Sequence, residues 1–255
     1  MRNALRSRLA AGQRSINGWL SLPSGYSAEI MARHGWHSLT VDMQHGVHDY
    51  ASMVQCFQAI SGFPVTPMVR VPTNEPGIIG KALDAGAWGV ICPMVNSAED
   101  ASAFVSACRY PPAGRRSNGP NRAAGYAEAQ PYQAFANDEV LALPMIETAE
   151  AVESLESILD VPGVDGVYVG PTDLAFSLGL PPAFDTDHPK LLSIYRHIVE
   201  ETRKRGRFAA IHTMDPAYAA RMLDIGFGFV TVGGDAVFIA KGARATVDAL
   251  KSAIG

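Results

Sequence analysis

Apolar, β-rich runs recur roughly every 20 to 40 residues along the chain, and most are followed by a longer amphipathic or alanine-rich segment. Eight runs are read as strands, at 17–21, 38–42, 66–71, 89–94, 141–146, 166–170, 208–212 and 229–233. Helical patterns fall between and after them, at 27–33, 50–60, 75–85, 98–108, 149–159, 189–204, 216–224 and 235–253, and a short charged helix is expected within 1–13. Ser97 before Ala98-Glu99-Asp100 predicts a capped helix start with acids where the dipole favours them. Eight strands with eight crossovers close as a (β/α)8 TIM barrel, read here as a single domain over 1–255. An open doubly wound sheet is the rival, but no GxGxxG follows the first strand to mark a dinucleotide site.

Length and charge narrow the function. At 255 residues and 47% hydrophobic, the chain can bury one large core. A net charge of -4 with no basic stripe argues against nucleic acid as a partner. The start lacks the continuous apolar core of a signal peptide, and no stretch reaches the length of a membrane span. Cys56, Cys92 and Cys108 show neither disulfide-framework nor zinc-site spacing, so a reducing cytoplasm fits best.

Strand carboxyl ends are where function gathers in such a fold. Glu147 and Asp173 each stand just past an apolar run, and two such acids can hold one divalent ion. Their plain readings are a helix N-terminal acid for Glu147 and an N-cap for Asp173. With oxygen ligands alone, the ion expected is hard, Mg²⁺ or Mn²⁺. Arg70 interrupts an apolar run, so it must be paired with an acid on a neighbouring strand or used to stabilise negative charge on an oxygen. His45 follows the second run, with Asp42 near enough in sequence to fix its tautomer and Gly46 to allow close backbone approach. His48 is a weaker candidate in the same loop, and His212 ends the seventh run, to line a pocket or to pack. Asp84, near a helix end, is expected to partner an Arg or His, within the chain or across a subunit boundary. Gly233-Gly234 could cradle an anion or form a tight turn.

Two connections are long, 110–137 and 175–188. The first, with Arg109, Arg115, Arg116 and Arg122 in or beside it, reads as reaching an anionic substrate, as meeting a neighbouring subunit, or as a plain solvated loop. Every lysine falls in a helical segment, so a Schiff-base mechanism lacks its amine.

With these residues in view, the chain resembles the HpcH/HpaI family of metal-dependent class II pyruvate aldolases over nearly its whole length. The resemblance rests on Val41-Asp42-Met43-Gln44-His45-Gly46, Val69-Arg70-Val71-Pro72, Leu83-Asp84-Ala85-Gly86-Ala87, Pro93-Met94-Val95, Arg109-Tyr110-Pro111-Pro112-Ala113-Gly114, Ile146-Glu147-Thr148 and Gly170-Pro171-Thr172-Asp173-Leu174, in that order. It implies a TIM barrel that assembles as a homo-oligomer, a trimer or hexamer. It also implies a lyase that reversibly cleaves 4-hydroxy-2-oxo acids to pyruvate, or a related 2-oxo acid, plus an aldehyde.

By resemblance, Glu147 and Asp173 hold Mg²⁺ or Mn²⁺ (or Co²⁺), Arg70 meets the enolate oxygen, and His45 is the acid/base. Asp42 and Asp84 join the proton-transfer network, and Gly170, Pro171, Thr172 and Asp173 bind substrate. Departures from the family pattern at Gln44, at Met145 and in 115–120 concern the aldehyde half more than the pyruvate half. A CoA-thioester lyase of the citrate lyase beta type is the alternative within the superfamily. A non-catalytic 2-oxo-acid-binding or assembly barrel is the alternative of another class.

Overall fold

The computed structural model describes residues 2–254. Met1 and Gly255, the two ends of the predicted domain, lie outside the described residues. The strands are β1 (Ser15–Leu20), β2 (Ser38–Asp42), β3 (Thr66–Arg70), β4 (Gly89–Cys92), β5 (Leu141–Ile146), β6 (Gly166–Val169), β7 (Phe208–Thr213) and β8 (Phe229–Gly234). All pair in parallel with their sequence neighbours, and β8 returns to β1, so the sheet closes as the (β/α)8 barrel expected. The helices are α1 (Ala4–Ala10), α2 (Gly25–Ala32), α3 (Tyr50–Ile60), α4 (Pro76–Asp84), α5 (Ala98–Cys108), α6 (Gln133–Glu139), α7 (Ala149–Glu153), α8 (Leu155–Asp160), α9 (Pro171–Ser177), α10 (Pro189–Lys204), α11 (Pro216–Ile225) and α12 (Asp235–Ile254).

Strand parity divides the core in two. Met68, Ile91, Leu141, Leu143, Met145, Tyr168 and Phe229 fill the barrel interior. Their neighbours Val69, Val90, Ala142, Ile146, Val167 and Val230 face outward into the layer of helices. Both strand faces are therefore dry, which is why the runs read as apolar throughout. Leu5 and Leu9 of α1 join the interior cluster, so the short N-terminal helix packs against the amino-terminal end of the barrel.

Several short elements differ from the sequence expectation. The helix expected at 149–159 breaks at Ser154 into α7 and α8. Strand β4 stops at Cys92, before Pro93, which has no N–H to give the ladder, and Met94 beyond it takes a left-handed backbone, φ 54°. The connection 110–137 is not bare loop: it holds a 3-10 turn, Ala123–Tyr126, and α6. Arg116 inserts between the rings of Tyr110 and Tyr132, 4.4 and 5.5 Å from their centroids, and ion-pairs with Asp84 at 2.7 Å.

Candidate active site at the carboxyl end of the barrel

A cavity of about 430 Å³ opens at the carboxyl ends of the strands. It gathers most of the residues singled out from sequence: Asp42, His45, Arg70 and the whole of Gly170, Pro171, Thr172 and Asp173. Each is delivered by a strand end, the loop just beyond it or, for Pro171, Thr172 and Asp173, the first turn of α9.

Asp42 ends β2 and Arg70 ends β3, directly opposite one another in the ladder. Arg70 donates through Nε to Asp42 Oδ1 (2.8 Å) and through Nη2 to Oδ2 (2.7 Å), a two-pronged pair that fixes the plane of the guanidinium. Asp42 also accepts the indole N–H of Trp19 and the backbone N–H groups of Gln44 and His45. Burial pushes the Asp42 carboxyl up, but the Arg70 hydrogen bonds and charge, with those N–H groups, outweigh it and hold it below its ordinary value. The bridge to an acid on a neighbouring strand is thus present, and Arg70 also lines the cavity.

The expected tautomer control of His45 by Asp42 is not what the structure shows. Asp42 holds the backbone of His45, not its ring, because the chain turns sharply after β2. Gly46 makes that turn, and a side chain there would run into Asp42 O. His45 is left exposed at the cavity rim. His48 turns instead toward Ser52 in the first turn of α3 and does not line the cavity.

Glu147 lies just past β5, only 2% exposed. It does not begin a helix; Thr148 caps α7, accepting from Ala151 N at 3.0 Å. The carboxylate takes one hydrogen bond, from the N–H of Met94 at 2.8 Å, and the left-handed backbone of Met94 lies at this contact. Burial pushes the Glu147 carboxyl above its ordinary value; the nearby Asp173 charge adds to this, while the Met94 N–H and Arg70 oppose it. Asp173 is the third residue of α9, whose N-cap is Gly170, so it too is not the cap expected. A Cβ at Gly170 would sit 2.5 Å from Glu147 Oε2, so glycine there leaves that oxygen its space.

These two carboxylates fit a divalent ion. One is buried with a single protein donor and is pushed toward its neutral form by that burial and, less strongly, by the charge of the other, an arrangement that a cation between them relieves. Among the described residues no group of three or more His, Cys, Asp or Glu converges anywhere, this site included, so two carboxylates are all the protein donors of these types offered to an ion here. The hydroxyl of Thr172, in the same segment, is buried without a protein partner.

Asp84 is not brought to this cavity. It ends α4, next to the start of β4, at the amino-terminal end of the barrel, and is fastened to Arg116. None of the loop arginines lines the cavity either: Arg109 binds Asp165, and Arg122 donates to the carbonyls of Ala85 and Phe57. Gly233-Gly234 does line it, but the nearby amides of Ser21, Leu22 and Ala236 already serve the Asp235 carboxylate.

Sequence reasoning missed Trp19, Phe184 and the backbone of Met94. Trp19 lies 4% exposed beneath Arg70, the guanidinium carbon 4.9 Å from the ring centroid. Phe184 comes from the second long connection, giving that loop a wall of the cavity.

Comparison with known proteins agrees with this fold. Residues 16–241 match the family model described as HpcH/HpaI aldolase/citrate lyase. The chain is 38% identical to a 4-hydroxy-2-oxo-heptane-1,7-dioate aldolase of Salmonella typhimurium, over 96% of this chain and 93% of that protein. It is also 38% identical to a hydroxypyruvate/pyruvate aldolase of Rhizorhabdus wittichii, over 96% of this chain and 97% of that one. A crystal structure of a family protein from Burkholderia cenocepacia superposes with a TM-score of 0.91 at 32% identity, covering 98% and 99% of the two chains. The chain belongs to the HpcH/HpaI aldolase/citrate lyase family and is an enzyme, a lyase.

Proposed function

We propose that this protein reversibly cleaves a 4-hydroxy-2-oxo acid to pyruvate, or a close 2-oxo acid, and an aldehyde. The observation that carries the reading is the buried Glu147 carboxylate, close enough to feel the charge of Asp173, beside a cavity that Asp173 and a preset Arg70 line. Glu147 and Asp173 would hold the ion, Mg²⁺ or Mn²⁺ by the hardness of the two oxygen donors. When bound, that ion supplies Lewis acidity toward the 2-oxo group.

The protein's own residues do the rest. Arg70, its plane set by Asp42, presents positive charge to the oxygen on which negative charge grows as the C3–C4 bond breaks. His45, on the rim, takes the proton of the 4-hydroxyl and returns one to C3. Thr172 offers its unpartnered hydroxyl to the acid group of the substrate. Asp84 enters this scheme only from a neighbouring copy.

A homo-oligomer is supported by α12, which leaves Ile239, Val247, Leu250 and Ile254 between 48% and 74% exposed along its length. No helix among the described residues is long and apolar enough to cross a membrane, so that apolar surface is not a span.

The test is turnover of pyruvate with a panel of aldehydes. Activity should vanish on chelation and return with Mg²⁺ or Mn²⁺, and borohydride should trap no adduct. Full activity in metal-stripped protein, or a lysine adduct, overturns the reading.

A further inference from the structure

Beneath the cavity a chain of side-chain hydrogen bonds runs into the barrel. Asn17 of β1 accepts at Oδ1 from the hydroxyls of Ser38 (2.8 Å) and Thr40 (3.1 Å). Its Nδ2 donates to Thr231 Oγ1 of β8 at 2.9 Å. Thr231 Oγ1 lies 2.6 Å from Tyr168 OH, which lies 3.2 Å from His212 Nδ1. All but His212 are buried, so each polar atom has to find its partner within the chain.

Thr231 Oγ1 accepts from the Asn17 amide, which leaves its own proton for Tyr168; in the order proposed here the Tyr168 proton then goes to His212 Nδ1. A bare, accepting Nδ1 places the ring's single proton on Nε2. Burial, and then the charge of Arg70, pull His212 down to about 3, against a smaller opposing effect of Asp42, so the ring stays neutral.

His212 lines the cavity with Nε2 outside the buried chain. Its ring packs edge-on to Trp19, centroids 4.7 Å apart, and lies 5.2 Å from Phe184. Phe184, Met214 and Val237 complete this side with no side-chain acceptor for an N–H. The acids that would hold the ion stand after β5 and β6, whereas His212 comes from β7. A 2-oxo acid on that ion would sit on the former side and leave the latter to the aldehyde fragment.

We propose that His212 is a specificity-determining residue: fixed as an Nε2–H donor by the Asn17–Thr231–Tyr168 chain, it binds an oxygen substituent of the aldehyde, so the site prefers oxygenated aldehydes to alkyl ones. The proposal rests on the aldolase reading above.

Two measurements test it. In protein labelled with ¹⁵N-histidine, the His212 signals, assigned by their loss in His212→Gln, should show a bare Nδ1 and a protonated Nε2 from about pH 5 to 8. Tyr168→Phe should mix the tautomers. With metal-loaded enzyme and pyruvate, kcat/KM is compared for glycolaldehyde and propanal, which differ by a hydroxyl in place of a methyl. The ratio should fall about tenfold or more in His212→Leu and less in His212→Gln, which keeps an N–H near the place of Nε2. His212→Phe, which keeps a ring against Trp19, serves if the leucine variant unfolds.

A protonated Nδ1, or a ratio unchanged in an active apolar variant, sinks the role of His212 alone. A wild-type enzyme that uses no aldehyde with metal present fails the aldolase reading and takes this proposal with it.

Discussion

Two arginine–aspartate pairs, at opposite ends of the barrel, use the same chemistry to different ends. Asp165 just before β6 receives Arg6 of α1 at 2.5 Å, Arg109 at 2.9 Å and the N–H of Ala142 at 2.8 Å. Two cations meet one anion there, and each arginine ties a separate stretch of chain to the barrel. At the carboxyl end the proportion is reversed. Asp42 takes up Arg70, and Glu147 and Asp173 remain with no guanidinium of their own. Where cations exceed anions the network fastens the fold; where carboxylates exceed cations it leaves a place for an ion from outside.

That contrast predicts effects of different kind and size. The largest should come from His45→Ala, measured as deuterium exchange of the pyruvate methyl group without aldehyde. A loss of about 10²- to 10⁴-fold is expected, with metal binding retained. Wild-type exchange would remove His45 from proton transfer.

Arg70→Lys comes next. It keeps the charge but loses the two-pronged hold of Asp42, and turnover should fall by about 3 kcal/mol, roughly 10²-fold, chiefly in kcat. A defect that disappears at saturating pyruvate would make Arg70 a binding group only.

Asp165→Asn should act on stability alone. Removing the anion leaves the buried Arg109 without its charge partner, and unfolding in urea should show a loss of about 3 kcal/mol with normal turnover per folded molecule. Lost turnover at unchanged stability would erase the difference between the two ends.

The smallest effect is a gain. In metal-free protein the folded-state value of Glu147 lies above its ordinary one, so its ionisation weakens the fold as pH rises through that raised value. Glu147→Gln should therefore raise the thermal midpoint of metal-free protein at neutral pH, and the gain should close as pH falls below the ordinary carboxylate value. A lower midpoint in the glutamine variant at neutral pH would contradict the strain assigned to this carboxylate.

The barrel was legible because its strands are dry on both faces and so stand out as apolar runs, and all eight lie where those runs do. Short helices were not. Helix α9, α6 and the break at Ser154 depend on what packs against them, and a single turn carries too little periodicity to be read alone.

Within the site, position relative to strand ends located Glu147, Asp173, Arg70 and His45. Proximity in sequence misled for Asp42 and His45, since a tight turn brought backbone rather than ring to the carboxylate. Met94 gave no signal of its own, as backbone donors have no sequence signature. Trp19 could have been found: it shares parity with Asn17 on β1, which places both in the barrel interior.

Trp19 has a consequence of an optical kind. The chain has three tryptophans, and of these Trp19 alone lines the candidate site. Its indole hydrogen-bonds Asp42, lies under Arg70 and abuts His212, so the charge and packing around its excited state change when a ligand draws on any of the three. Trp36 and Trp88 lie outside that cavity, Trp36 beside Phe238 and Trp88 stacked on Tyr126. Replacing those two with phenylalanine leaves a single tryptophan, excited apart from the tyrosines at the red edge of the absorption, through which occupancy can be followed without turnover or an attached dye.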